Sequence, residues 1–406
     1  MDSYDSATTS PRLGWTPGPD GRGTFDILWN CLFTAFLCTW VSLHLNVPAQ
    51  TDSETTIILR KLRWVIQVIL GPEFVLAFAT GQRAEARRTV ESFRAAGYQW
   101  TLRQAFYANM GGFLLQSRDS ASFPVNGKQI LWLVTQGYLA FPELTGRDVW
   151  DKSKADGFAK LATCVQTAWL VVRCICRAVQ GLTVTTLELT TVSFVICNVA
   201  TYYEWSHKPL DVHQPTVLTI RASIEEILVA AGGVASQPYR QTPLDFVDDQ
   251  SPSWLIDVQP KLPIRYWGYE RPLCRFTNDR FPVVGTSPHS IGLFFISMAY
   301  SAVHAIGWNF DFPTPREKLF WRIASVSLIV TTFLLWTCEA YQDGVRLGRW
   351  RRWRGKLIGR THVDPVTIVY TLARTYIVVE CFFSLRSLPP QAFADIEWMR
   401  YVPHVA

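Results

Sequence analysis

The sequence predicts an all-α polytopic membrane helix bundle of about seven transmembrane helices with a cytosolic N-terminus. Three observations carry this. The apolar residues fall in several runs of about 20, the length an α-helix rising ~1.5 Å per residue needs to cross ~30 Å of hydrocarbon. Charge is pushed into the segments between those runs. The 17 Trp are many for 406 residues and suit a protein with two membrane interfaces.

Residues 1–24, with Pro11, Pro17 and Pro19, read as a disordered tail. Residues 25–80 hold the first two spans. Phe25 to Leu45 is free of formal charge from Ile27 onward, and Trp29 and Trp40 lie toward its ends. No basic stretch or cleavage site precedes it, so it should stay as a signal anchor. The second span, about Leu62 to Thr80, is interrupted by Gly71-Pro72-Glu73, and Pro72 should kink it. Residues 81–157 form a basic, amphipathic cytosolic segment: 82–97 reads as a soluble helix, and 100–115, with Gly111-Gly112, suits a place on the membrane or under the bundle. Ser153 and Asp156 have N-cap spacing.

Residues 158–204 form a transmembrane hairpin turning at Gln180-Gly181, and 205–288 a Pro-rich cytosolic loop with a short helix near Arg221 to Ala231. Residues 289–386 hold spans at about Ile291 to Phe310, Leu319 to Glu339 and Val366 to Leu385, with a basic loop over 340–364. A tail, 387–406, follows, and no internal repeat of the inverted-transporter kind is visible.

The formal charge of +6 is spread over separate loops, which disfavours nucleic acid as a partner. The loops after spans two, four and six hold about 25 Lys and Arg, the others about six, so the former should face the cytosol. In RLGRWRRWRGK (346–356), Arg349, Arg351, Arg352 and Arg354 alternate with Trp as in a segment resting on anionic lipid at the cytosolic face; a plain stop-transfer flank reads the same way. Spans of 19–20 residues suit the endoplasmic reticulum or another endomembrane better than the plasma membrane. Eight of the nine Cys lie in or beside apolar runs and only Cys274 in a long loop, with no paired C-x-x-C. No cofactor is expected, and the run His207, Asp211, His213 is too sparse to assign a metal.

The segments RGTFDILWNCLFTAFLCTWVSLHLNVP (22–48), YANMGGF (107–113), DKSKAD (151–156), LEL (187–189) and YEWSHKP (203–209) resemble blocks of a large group of uncharacterised fungal polytopic membrane proteins. The resemblance implies a multi-helix membrane fold and a fungal source. It brings no catalytic residues, and it implies at most a link to specialised metabolism.

Any chemistry should involve ionisable residues inside the spans, each costing about 2.5–3.5 kcal/mol at a lipid-facing helix centre unless turned inward and paired. Counting from the Gln180-Gly181 turn sets Arg173 level with Glu188, so an ion pair across the hairpin is expected. Arg177, Glu380, His304 and His44 fall on the same half. Of these, Glu188, Glu380, Arg173 and His304 are the catalytic candidates. Glu73 and Arg374 form a second expected pair nearer the cytosol. Such pairs also fix helix register without chemistry. The leading reading is a membrane-embedded enzyme or accessory protein acting on a lipophilic small molecule. A transporter or channel and a non-catalytic scaffold are the alternatives.

Overall fold

The computed structural model describes residues 12–18, 21–153, 157–235, 239, 241–247, 272–278, 288–346 and 360–398. The protein is mostly helical: α1 (Thr24–Ser42), α2 (Glu54–Leu70), α3 (Pro72–Ala95), α4 (Leu102–Asn109), α5 (Gly127–Thr135), α6 (Gly146–Asp151), α7 (Gly157–Val179), α8 (Thr186–Glu204), α9 (Ile224–Ala231), α10 (Pro288–Ile306), α11 (Pro315–Arg346) and α12 (Arg360–Phe383). Among the described residues, five helices are long and apolar enough to cross a membrane: α1, α7, α10 with its following turn, α11 and α12. A sixth candidate is the pair α2 and α3, bent by 112° at Gly71-Pro72.

Helix α8 is the hub, packing on α1, α3, α7, α10 and α12. Its position explains its composition. Packed against five helices, it buries Thr186, Glu188, Thr190, Thr191, Ser193, Asn198 and Thr201 and leaves an apolar face at Ile196, Val199 and Tyr203 exposed. Small hydroxyls tie it to its neighbours: Thr186 to Ser384 at 2.7 Å and Thr190 to Cys381 at 3.1 Å. Apolar side chains cover the outside instead. On α1, Phe25, Trp29, Leu32, Phe36 and Trp40 form an exposed stripe at helical spacing.

Contacts at the helix ends fix the chain directions. Arg22, just ahead of α1, pairs with Glu188 in the first turn of α8. His44, just after α1, lies 5.9 Å from Trp205, just after α8. So α1 and α8 run parallel. Because α7 and α8 are joined by the tight turn at Gly181 (φ 71°), α7 runs opposite to both. The end of α1 and the start of α7 are therefore on one face. The α2–α3 pair must leave from and return to that face: Lys61 of α2 lies 4.1 Å over the Trp40 ring and Gln82 of α3 accepts from Trp205, while the apex, Gly71-Pro72, points into the bundle. The sequence reading of one kinked second span is corrected to a re-entrant pair.

The segment 81–157 is more than a surface helix. Helix α3 continues without a break from the apex through 82–95. Beneath the bundle, α4, α5, α6, α9 and a three-stranded sheet share a core that includes Phe93, Trp100, Tyr107, Phe113, Phe123, Ile130, Leu133 and Ile227. The strands are β1 (Phe113–Gln116), β2 (Phe123–Val125) and β3 (Thr216–Thr219) in the order β2-β1-β3. Strand β1 pairs antiparallel with β2 (Phe113 opposite Val125) and parallel with β3 (Phe113 opposite Thr216). An all-α reading misses this sheet. Gly111 (φ 84°) ends α4, and a Cβ on Gly112 would meet the Tyr107 carbonyl at 2.5 Å, so YANMGGF is the helix-to-strand corner.

Two further expectations change. The tail 1–24 is not wholly free: Leu13 forms a backbone bridge with Leu388, and Arg12 donates to the Phe312 carbonyl at 2.5 Å. Ser153 bonds the Leu210 N–H at 3.0 Å, while Asp156, its expected capping partner, lies outside the described residues.

Candidate functional site at the helix break

The break between α2 and α3 leaves two helix ends facing each other inside the bundle. Carbonyls in the last turn of α2 lack intrahelical partners, because the chain bends at Gly71 and Pro72 has no N–H. Arg374 on α12 supplies them: its Nε donates to Leu70 O at 3.1 Å and an Nη to Ile69 O at 3.3 Å. A cation at a helix C-terminus is also favoured by the helix dipole.

Glu73 stands in the first turn of α3, the position that favours an acid. Its Oε1 accepts from the Tyr370 hydroxyl, and its buried Oε2 has no partner. Tyr370 and Arg374 are four residues apart on α12, so one helix face serves both ends of the break. The expected Glu73–Arg374 ion pair is not formed. Arg374 is used by α2 carbonyls and His304, and Glu73 by Tyr370.

His304 on α10 is fully buried, with Nε2 3.2 Å from an Arg374 Nη and 3.5 Å from Ser193 Oγ. Arginine has only donors, so Nε2 must accept, which leaves the Nδ1–H to face the Ser301 carbonyl at 3.4 Å. Tyr300 lies under the guanidinium at 5.1 Å, and its buried hydroxyl is unpartnered, as is Ser297 Oγ. The centre thus gathers an acid, two phenols, an imidazole and a guanidinium, and leaves a carboxylate oxygen and a phenol hydroxyl open.

The other predicted groups lie elsewhere. Glu188 pairs with Arg22 at 2.7 Å, not with Arg173, which is half-buried on α7. Its second oxygen accepts from the Thr185 N–H and hydroxyl, both at 3.0 Å, closing a capping box. Glu188 is therefore committed to holding the start of α8. Arg177, fully buried, donates to the carbonyls of Thr183, Gln391, Ala392 and Ala394 and binds the hairpin turn to the chain's end. Glu380 is buried and accepts from Tyr376 at 3.3 Å, near the Glu317–Arg386 ion pair. His44 sits at the opposite end of the bundle from Glu188, beside Trp205, and burial pushes its imidazole down to about 4. Asp211 pairs with Lys61 at 2.8 Å, which takes it out of the His207–His213 run. Arg349, Arg351, Arg352 and Arg354 lie outside the described residues, as does the side chain of Glu339.

Sequence reasoning missed Arg22, Tyr370, Tyr300 and Lys208. The last is 4% exposed, after α8, in a cavity where segments 22–48, 107–113 and 203–209 meet through Asn46, Asn109, Met110 and Lys208. A signal for Tyr370 existed: its spacing of four from Arg374 inside an apolar span.

A family model described as a family of unknown function, DUF8562, matches residues 1–231 and 289–405. No curated protein and no solved structure matches the chain.

Proposed function

We propose, from the premise that the chain belongs to the DUF8562 family, whose function is unknown, that it is an integral membrane protein working on a lipophilic small molecule at the Glu73–Tyr370 centre. The observation that carries this reading is the buried, unpartnered Oε2 of Glu73 at the tip of a broken helix, with the Tyr300 hydroxyl also open. Intramembrane ionisable groups are costly and mark substrate or proton pathways. Glu73 is an acid–base group with one oxygen oriented by Tyr370 and the other open to a reacting proton. Arg374 and His304 hold the break in place. Glu188, engaged at both oxygens, is a fold residue in this reading.

The bent α2–α3 pair favours a second reading. Discontinuous helices near mid-bundle charge are the usual frame of a transporter site. Metabolite profiling of a deletion strain complemented by wild type or Glu73→Gln, with cells and medium analysed separately, tests both. A change in the compound made supports catalysis. The same compound redistributed between cells and medium supports transport. Full complementation by Glu73→Gln overturns both.

The chain directions also suggest an orientation. The basic segments all leave from the face of His44 and Lys208, and the described ends of the chain lie together on the other. By the positive-inside bias the basic face is cytosolic, which puts both termini in the lumen or outside. The 19-residue spans, α1 and α10 with its turn, fit an endomembrane, and the resemblance to fungal membrane proteins fits a specialised metabolite as substrate.

A further inference from the structure

Cations and aromatic rings meet where α7 begins, on the basic face. Arg83 of α3 lies 4.7 Å over the Tyr203 ring at the end of α8, and Arg103 of α4 lies 4.5 Å over the Trp150 ring of α6. Lys160, in the first turn of α7, stands 5.8 Å from that same Trp150 ring and 5.8 Å from the Tyr202 ring. Two cations therefore share one indole. Arg87 adds to the field: burial, then the Arg83, Arg103 and Arg87 guanidiniums, hold the His207 imidazole below its usual value.

The nearby acids are used elsewhere or stand apart. Glu204 sits 3.8 Å from Arg83, and Asp148 accepts the Thr145 N–H and hydroxyl, both at 2.7 Å. Glu85 of α3 lines the cavity at Lys208, and Asp151 is exposed at the end of α6. Among the described residues, neither Lys160 nor Arg103 has a carboxylate within 4 Å. A ring contact leaves the three hydrogens of an ammonium free for an anion. Arg103 gives one Nη to the Gly146 carbonyl at 3.4 Å and keeps the rest of its fork.

The place suits a lipid. Helix α7 is a candidate span from Phe158 onward, and Phe158, Leu161, Val165 and Trp169 are exposed along it. Lys160 and the exposed Trp150 stand at the mouth of that span, where a long basic side chain and an amphipathic ring meet the headgroup layer. Trp150, Tyr203 and His207 are all exposed, so the cluster opens outward and a branched headgroup has room.

We infer that Lys160 and Arg103 bind the phosphate of an anionic phospholipid, with Trp150 at headgroup level and an acyl chain against Leu161 and Val165. The site is separate from the basic loop 346–356 and independent of the reading proposed for Glu73.

Thermal unfolding of the full-length protein in neutral detergent tests this, with dioleoyl phosphatidylserine, dioleoyl phosphatidylcholine and inorganic phosphate as probes. Phosphatidylserine should raise the midpoint saturably; phosphatidylcholine and inorganic phosphate should not. Lys160→Gln and Arg103→Gln should each weaken the phosphatidylserine effect about fivefold, and Lys160→Arg should retain it. Having two variants keeps the test decisive if one fails to fold. Arg118→Gln removes an exposed charge at the turn between β1 and β2 and should leave the effect unchanged. Equal losses in Arg118→Gln and Lys160→Gln mean that only net charge is sensed and overturn the site. An equal response to phosphatidylcholine, or no response to phosphatidylserine, overturns it too. An equal response to inorganic phosphate overturns the assignment to a lipid.

Discussion

Arg374 donates its Nε to the carbonyl of Leu70 at 3.1 Å, so a side chain of α12 caps a helix more than 300 residues earlier in the chain. Removing the guanidinium strands carbonyls in a place water does not reach. Arg374→Ala should cost about 2–6 kcal/mol, since two buried carbonyls lose their donor at about 1–3 kcal/mol each. Arg374→Lys, which cannot reach two carbonyls and an imidazole at once, should lie between it and wild type. Unfolding in detergent monitored by intrinsic Trp fluorescence measures both.

Tyr370→Phe and Glu73→Gln separate orientation from acid–base chemistry. Glu73→Gln retains the shape and an acceptor for Tyr370, so stability should change by no more than about 1 kcal/mol while function is lost. Tyr370→Phe leaves a second carboxylate oxygen unpaired and should lower both. Metabolite yield measured beside thermal stability tells these patterns apart.

Glu188→Gln should destabilise the protein by about 1–3 kcal/mol, since it weakens a capping box and strands the Arg22 guanidinium. In a double-mutant cycle with Arg22→Met, the two substitutions should couple, whereas Glu188→Gln and Arg173→Met should add independently.

The Lys208 amine falls from 10.5 to about 7 on folding. Between those values the unfolded chain binds more protons than the folded one, so stability should rise as pH climbs from about 7 toward about 10.5, and be insensitive to this group below 7. Lys208→Met should flatten the difference. Urea or thermal midpoints across pH 6–10 for the two proteins provide the comparison.

If both termini lie across the membrane from the basic segments, a protease-sensitive tag ahead of Met1 should resist digestion in intact microsomes. A tag inserted within 347–359 should be cut. The opposite pattern removes the proposed orientation.

The apolar runs were legible because membrane spans are long and locally encoded, and the Gly71-Pro72 break was visible for the same reason. What it became was not. Whether a kinked stretch crosses or turns back depends on partners such as Arg374, far away in sequence. The Arg173–Glu188 expectation rested on depth alone, and depth leaves rotation about the axis open. It also left out Arg22, in a Pro- and Gly-rich stretch whose order comes from docking rather than propensity. The sheet escaped because β1 and β3 are four residues each, too short for an alternating pattern, and pair across about 100 residues. Lys208 gave no signal, since burial of a loop lysine is decided by whatever folds over it.

Leu13 and Leu388 bridge backbone to backbone, and Arg177 grips the carbonyls of 391, 392 and 394. The stretch around Leu13 therefore waits for its mate until residues 388–394 have been made. Closure of that clasp is necessarily a late event in biogenesis, after the last helix has been released. A stop codon at position 388 would spare every apolar run, yet leave the clasp and the Arg177 guanidinium without those partners.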